Sequence, residues 1–387
     1  MIERIFNPLQ NRSFFLFGAR GTGKSTWLEA RYDDTQSYRI DLLDPILLDD
    51  LRLDLGRFKR IIDAPENRNK IIIVDEVQKL PGLLNYVHQS IFKEKRTFIL
   101  TGSSARRLKQ LGSNLLAGRA LVYHLFPLTS VELGDEFDLQ RALEVGLLPD
   151  GYLSGSRELA NEVLRAYVIT YVEKEVQIEQ WVRKIEPFRH FLGVAAQMDG
   201  KIVNKSAIGR EVGVDDSTVA DYYEILEDTL LGVPLPAYHR SVRRSDRRSA
   251  KFFFIDAGVK RALDRTLIAP LVPSTSAYGE AFEHFVFLEL YKLSSYSRND
   301  WRFSYYQTKE GHEVDLVIER PGEPLLLVEI KSKARVTARD CAVLERLGPE
   351  IDKKAHHLLL SQDTATQQFG KTTARHWQNF IRELMPK

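Results

Sequence analysis

Two groups of residues in this sequence have types and spacings suited to phosphate chemistry. The first is Gly18-Ala19-Arg20-Gly21-Thr22-Gly23-Lys24-Ser25, followed by Thr26. Glycines at its first and sixth positions let the backbone turn its N–H groups inward around phosphate oxygens, and a helix starting there adds its positive end. Lys24 would place a charge on the β- and γ-phosphates of ATP, and the Ser25 hydroxyl would ligate Mg²⁺. Further along, Ile71-Ile-Ile-Val-Asp75-Glu76 reads as a buried strand that delivers Asp75 beside the Mg²⁺ and Glu76 to the attacking water. Thr101-Gly-Ser-Ser follows a third apolar run. There Ser103 or Ser104 contacts the γ-phosphate or the lytic water, or else caps a helix. Arg106, Arg107 and Arg119 are candidates for an arginine finger, with Arg119 preferred.

The second group is Asp315 in Glu313-Val-Asp-Leu-Val-Ile318 together with Glu329 and Lys331 in Leu326-Leu-Val-Glu-Ile-Lys331. Residues two apart on a strand share a face, so Glu329 and Lys331 point one way and an Asp on an adjacent strand can join them. Two carboxylates hold Mg²⁺ with water, and a lysine alongside orients or deprotonates the water that attacks a phosphodiester. This spacing resembles the D…E-x-K signature of restriction-endonuclease-like nucleases, and that resemblance implies a further acid from an upstream helix, Glu283, with Glu280 as the alternative. The expected chemistry is Mg²⁺-dependent DNA cleavage.

A third feature is basic. Arg240, Arg243, Arg244, Arg247, Arg248 and Lys251 cluster in the tip between two expected strands, Leu231 to His239 and Lys251 to Ile255. The two helical stretches before them, 205–212 and 216–230, are joined by a turn at Gly213. Together they predict a winged helix whose arginines neutralise DNA phosphates. The second helix carries Asp221, Glu224, Glu227 and Asp228, so backbone or shape recognition led by the wing is expected rather than base reading. Lys333, Arg335 and Arg339 extend the basic track.

These residues need elements to position them. Apolar runs at 13–17, 70–74 and 96–100, separated by amphipathic stretches, predict a parallel sheet covered by helices on both faces. Helices are expected over 157–185, 187–198, 279–293, 338–347 and 374–384, and strands over 301–307, 314–318, 325–331 and 356–361. The resulting fold class is α/β with three domains: a P-loop domain at 1–150, a helical linker and winged helix at 151–265, and a second α/β domain at 266–387. A chain of 387 residues is too long for one core, which agrees. One cysteine, Cys341, excludes an intramolecular disulfide and suits a reducing compartment. No apolar run approaches the roughly 18 residues of a membrane span. A cytoplasmic, membrane-free protein is expected.

The P-loop, Val74-Asp-Glu-Val-Gln78, Leu100-Thr-Gly-Ser-Ser104 and Leu116-Ala-Gly-Arg119 with Phe126-Pro-Leu resemble the bacterial and archaeal AAA-type ATPases that carry a C-terminal domain of unknown function. The resemblance spans nearly the whole chain. It implies an AAA-like ATPase core, a winged helix and a restriction-endonuclease-like C-terminal domain of the D…E-x-K type. Thr101 and Ser103 stand in the region where many AAA relatives place Asn. An arginine finger acting in trans implies a homo-oligomer, with a ring as the usual solution. Two functions follow as expectations: ATP hydrolysis coupled to processing of DNA, branched DNA included, or a nucleotide-dependent oligomeric switch whose nuclease-like domain is an inactive binding module.

Overall fold

The computed structural model describes residues 2–104, 118–173, 182, 185–239 and 249–384. By its contacts the chain divides into two units. One comprises Phe6–Pro127 and Glu224–Leu231; the other comprises Met1–Ile5, Leu128–Tyr223 and Gly232–Lys387. Residues 128–150 therefore pack with the second unit, and the contact boundary falls at Leu128 rather than near Leu148.

The first unit is built on β1 (Phe14–Phe17), β2 (Ser37–Asp41), β3 (Ile71–Asp75), β4 (Phe98–Gly102) and β5 (Leu121–His124). They form a parallel sheet in the order β2-β3-β4-β1-β5. β1, β3 and β4 are apolar because they are central and covered on both faces. Phe15, Phe17, Ile72, Val74, Phe98 and Leu100 pack with Leu51, Phe58, Ile62 and Val87 of the flanking helices. Burial of each such side chain contributes about 2 kcal/mol relative to exposure. β2 and β5 are the edges, with mixed polar sequences and partial exposure.

In the second unit, helices Lys205–Val212 and Asp216–Asp228 flank a left-handed Gly213, and β6 (Gly232–Leu235) pairs antiparallel with β7 (Lys251–Phe254). The helix Asp216–Asp228 has residues in both units. The expected helix over 157–185 is α-helical for Arg157–Tyr167 and continues as a π-turn, Val168–Glu173.

The carboxyl-terminal sheet uses β8 (Arg302–Gln307), β9 (Glu313–Glu319), β10 (Leu326–Lys331), β11 (His356–Ser361), β12 (Gln367–Phe369) and β13 (Thr372–His376). Its order is β12-β13-β11-β10-β9-β8, with β10, β11 and β13 parallel and the others antiparallel to their neighbours. The helix Ser276–Ser297 packs on β10, and Ala342–Ile351 covers Val314, Val317 and Leu327. Residues 374–384 were expected to be wholly helical. Residues 374–376 instead complete β13, and the helix is Trp377–Glu383.

Candidate functional site

The carboxyl edge of the first sheet gathers the phosphate-loop residues. β1 ends at Phe17, and a turn leads to the helix Lys24–Arg31. Gly21 and Gly23 adopt φ of 77° and 88°, left-handed values that cost a residue with a side chain roughly 1 kcal/mol or more. A Cβ on Gly18 would collide with the Leu125 carbonyl oxygen. Thr22 Oγ1 donates to the Ala19 carbonyl at 2.9 Å, closing the loop on itself. Lys24, buried, donates to the carbonyls of Gly18 at 2.7 Å and Ala19 at 3.3 Å, which holds its ammonium at the mouth of the loop. Arg20, Ser25 and Thr26 face solvent.

Because β4 lies between β1 and β3, the end of β4 reaches the Asp75 carboxylate directly. Thr101 Oγ1 donates to Asp75 Oδ1, and Ser25 Oγ donates to Asp75 Oδ2 at 3.4 Å. The hydroxyl and carboxylate expected to share a Mg²⁺ thus face one another. Two neutral or anionic oxygen donors beside a phosphate cradle fit that ion's preference for oxygen. Thr101 Oγ1 also accepts from the Glu76 amide at 3.3 Å. Glu76 itself sits at φ 55°, an uncommon value for a residue with a side chain that turns the chain sharply at the strand end. Its Oε2 accepts from Gln78 Nε2, which also donates to Ser103 Oγ at 3.2 Å. A Cβ on Gly102 would lie 2.5 Å from Gln78 Oε1, so glycine there leaves room for this bridge.

Gln78 and Thr101 were not singled out as site residues from the sequence. The signal was present, since both lie within motifs already read there. Ser103 is buried and linked to Glu76 through Gln78, while Ser104 Oγ donates to the Asp228 carbonyl at 3.0 Å. That bond ties the end of the acidic helix to β4, and the segment from Glu224 belongs to the first unit.

Arg119 precedes β5, whose Leu121 pairs with Phe14 at the start of β1. It therefore lies at the amino edge of the sheet. The strand separates it from the phosphate loop by about 13 Å, at roughly 3.3 Å per residue. Its guanidinium contacts His88 and lies 5.2 Å from the Phe92 ring centroid. It does not enter this chain's own nucleotide site. Arg106, Arg107, Arg240, Arg243, Arg244, Arg247 and Arg248 lie outside the described residues.

A second constellation forms where the helix Ser276–Ser297 meets β9 and β10. Oxygens of Glu283, Glu313 and Asp315 all lie within 4.8 Å of one another. The Ile330 amide donates to Asp315 Oδ2 at 2.7 Å, fixing that carboxylate between the strands. Glu329 is buried; its Oε1 pairs with Lys331 Nζ at 2.5 Å, and its Oε2 is buried without a hydrogen-bond partner among the described residues. The trio able to surround a cation therefore contains Glu313, not Glu329 as expected. The period-two rule could have found Glu313, since it shares a face with Asp315. Glu280 lines the adjoining cleft with Gln307 and Asp199.

Burial, and then the Asp315 charge, push the Glu283 and Glu329 carboxyls up to about 8. Burial lowers the Lys331 ammonium's pKa, but Asp315 and Glu329 more than offset this and hold it above its usual range. A raised pKa favours the charged form of Lys331, which suits it to orient a water molecule by charge. Lys251, expected on the solvated wing, is 4% exposed. It donates to Glu313 Oε1 and lies 3.7 Å from Glu283 Oε1. Its place is the acid cluster, because as the first residue of β7 it faces inward against the helix and β9.

Residues 10–134 match a family model described as "AAA domain"; residues 136–268 and 278–379 match models described as domains of unknown function, DUF8612 and DUF4143. An uncharacterized protein of Mycobacterium tuberculosis is 24% identical over 315 residues, covering 80% of this chain and 68% of that protein. An uncharacterized protein of Haemophilus influenzae is 23% identical over 295 residues, covering 72% and 70%. Among solved structures, the Aeropyrum pernix ORC2 protein in its ADP form is similar at TM-score 0.31 and 15% identity, over 67% of this chain and 88% of that one. Domain III of the Thermotoga maritima replication initiation protein DnaA is similar at TM-score 0.24 and 16% identity, over 42% and 80%. The family match over residues 10–134, with the phosphate loop and Asp75 at the carboxyl edge of a parallel sheet, marks a P-loop domain of AAA type. Among the described residues no helix is long and apolar enough to cross a membrane.

Proposed function

We propose that this chain hydrolyses ATP in its AAA-type domain and couples the cycle to work on DNA held by its second unit. The observation that carries the first half is the Asp75 carboxylate clasped by Thr101 and faced by Ser25 beside the phosphate loop. The loop amides and Lys24 bind the β- and γ-phosphates, and Glu76, set by Gln78, orients a water molecule and takes its proton as the oxygen joins the γ-phosphorus. The bond to the β-phosphate oxygen breaks and ADP leaves. Mg²⁺, held by Ser25 and Asp75, would supply charge neutralisation on the phosphates. Arg119, at the amino edge of its own sheet, serves as a finger only toward a neighbouring copy, which makes the working form a homo-oligomer, a ring in the usual AAA manner.

The second half rests on Asp315, Glu329, Lys331, Glu283 and Glu313, whose oxygen-rich geometry suits Mg²⁺ beside a phosphodiester. Asp315 and its neighbours would hold the ion, and Lys331 would orient the water by charge. Wing arginines would bind the DNA backbone. The alternative, an oligomeric switch with an inactive nuclease-like module, is favoured by one observation: Lys251 already neutralises part of the acid cluster. Steady-state ATP hydrolysis with and without single-stranded, duplex and branched DNA separates the two. Stimulation of several-fold by DNA is expected; turnover indifferent to every DNA form would leave the switch.

A further inference from the structure

Lys251 is the residue of the second unit whose position the DNA reading does not use. It sits on β7 opposite Leu235, bridges to Ile202, and is almost fully buried. Its ammonium donates to Glu313 Oε1, lies 3.7 Å from Glu283 Oε1, and stands 5.5 Å from the Tyr305 ring centroid. It lines a cleft of about 330 Å³ with Glu280, Glu283, Gln307 and Glu313. This is the place where three carboxylates converge within 4.8 Å. Four carboxyl groups, Glu283, Glu313, Asp315 and Glu329, thus gather around two ammonium groups, Lys251 and Lys331. The buried Glu329 Oε2 without a hydrogen-bond partner points independently to a missing cationic or donor ligand.

We propose that Lys251 is a built-in counter-ion that competes with a divalent cation for Glu283 and Glu313, so that its ion pair and cation occupancy of the cleft exclude one another. The proposal rests on the reading of this cluster as a metal centre. A divalent ion bound to both carboxylates would stand within a few ångströms of the ammonium, and like charges at that range in a buried site repel strongly. Metal entry therefore requires Lys251 to withdraw, and the cleft stays closed to cations until it does.

The test is Mn²⁺ binding to the nucleotide-free full chain, read by electron paramagnetic resonance of free Mn²⁺. Lys251→Met should bind at least about tenfold more tightly than the wild type. Asp315→Asn in the Lys251→Met background should abolish that binding. In the wild type, saturating Mn²⁺ should raise acetylation of Lys251 by acetic anhydride, read by peptide mass spectrometry; this arm needs no folded variant. Asp315-dependent binding of equal or lower affinity in Lys251→Met, or Lys251 equally protected with Mn²⁺ bound, would leave the metal centre standing and overturn the competition. Absence of any Asp315-dependent binding in all forms would overturn the metal centre itself, and the proposal with it.

Discussion

Thr101 holds the Asp75 carboxylate and the Glu76 amide at once, and Gln78 holds the Glu76 carboxylate and Ser103. Asp75 and Glu76 were legible in the sequence, as an apolar strand ending in two acids. Their holders, Thr101 and Gln78, lie within the same motifs, but their hydrogen bonds to the two acids appear only in the folded chain. Gln78→Ala removes the bridge without touching the phosphate cradle. ATP affinity should stay near wild type while single-turnover hydrolysis falls about tenfold to a hundredfold, the cost of a misplaced base. An unchanged rate would make Gln78 a packing residue. In the other unit, burial and then the charge of Asp315 raise the Glu283 and Glu329 carboxyls; Lys251, Glu313 and Lys331 also face Glu283, and Lys331 also faces Glu329. A carboxyl raised on folding stabilises the fold while protonated in the native state, and that contribution is lost as pH rises from the unfolded value through the folded one. Chelator-treated protein should therefore lose melting temperature between about pH 5 and 8, and Glu283→Gln should flatten that slope. An identical slope in the variant would contradict the assignment.

Elements were legible where burial makes them uniform. β1, β3 and β4 read as apolar runs because each is flanked by strands on both sides, whereas β8, β9 and β10 read as strands by their alternation. β2, Ser-Tyr-Arg-Ile-Asp, and β5, Leu-Val-Tyr-His, were not, since edge strands keep polar residues on their open side. Residues 374–376 of β13 (Thr372–His376) were read as part of the final helix; Ala374, Trp377 and Ile381, all buried, also fall at helical spacing. The strand's pairing with β11 and β12 decides its conformation instead. Lys251 begins β7, as the expected strand from Lys251 to Ile255 has it, but it was grouped with the basic tip, and its partners Glu283 and Glu313 lie far along the chain. Charge alone did not distinguish a phosphate partner from a carboxylate one.

Over the whole molecule, two polar constellations stand in different units, the phosphate loop at the carboxyl edge of a parallel sheet and an acid cluster where a long helix meets β9 and β10. Arg119 lies at the amino edge of the first sheet, against His88, and the proposed finger role requires a neighbouring copy. Coupling between DNA and turnover presupposes that the first constellation hydrolyses ATP. The direct test is nucleotide affinity and steady-state turnover of the full chain carrying Lys24→Ala. The account predicts weakened ATP binding and hydrolysis reduced at least about a hundredfold, since the ammonium that meets the β- and γ-phosphates is gone. Wild-type affinity and turnover in that variant would contradict it.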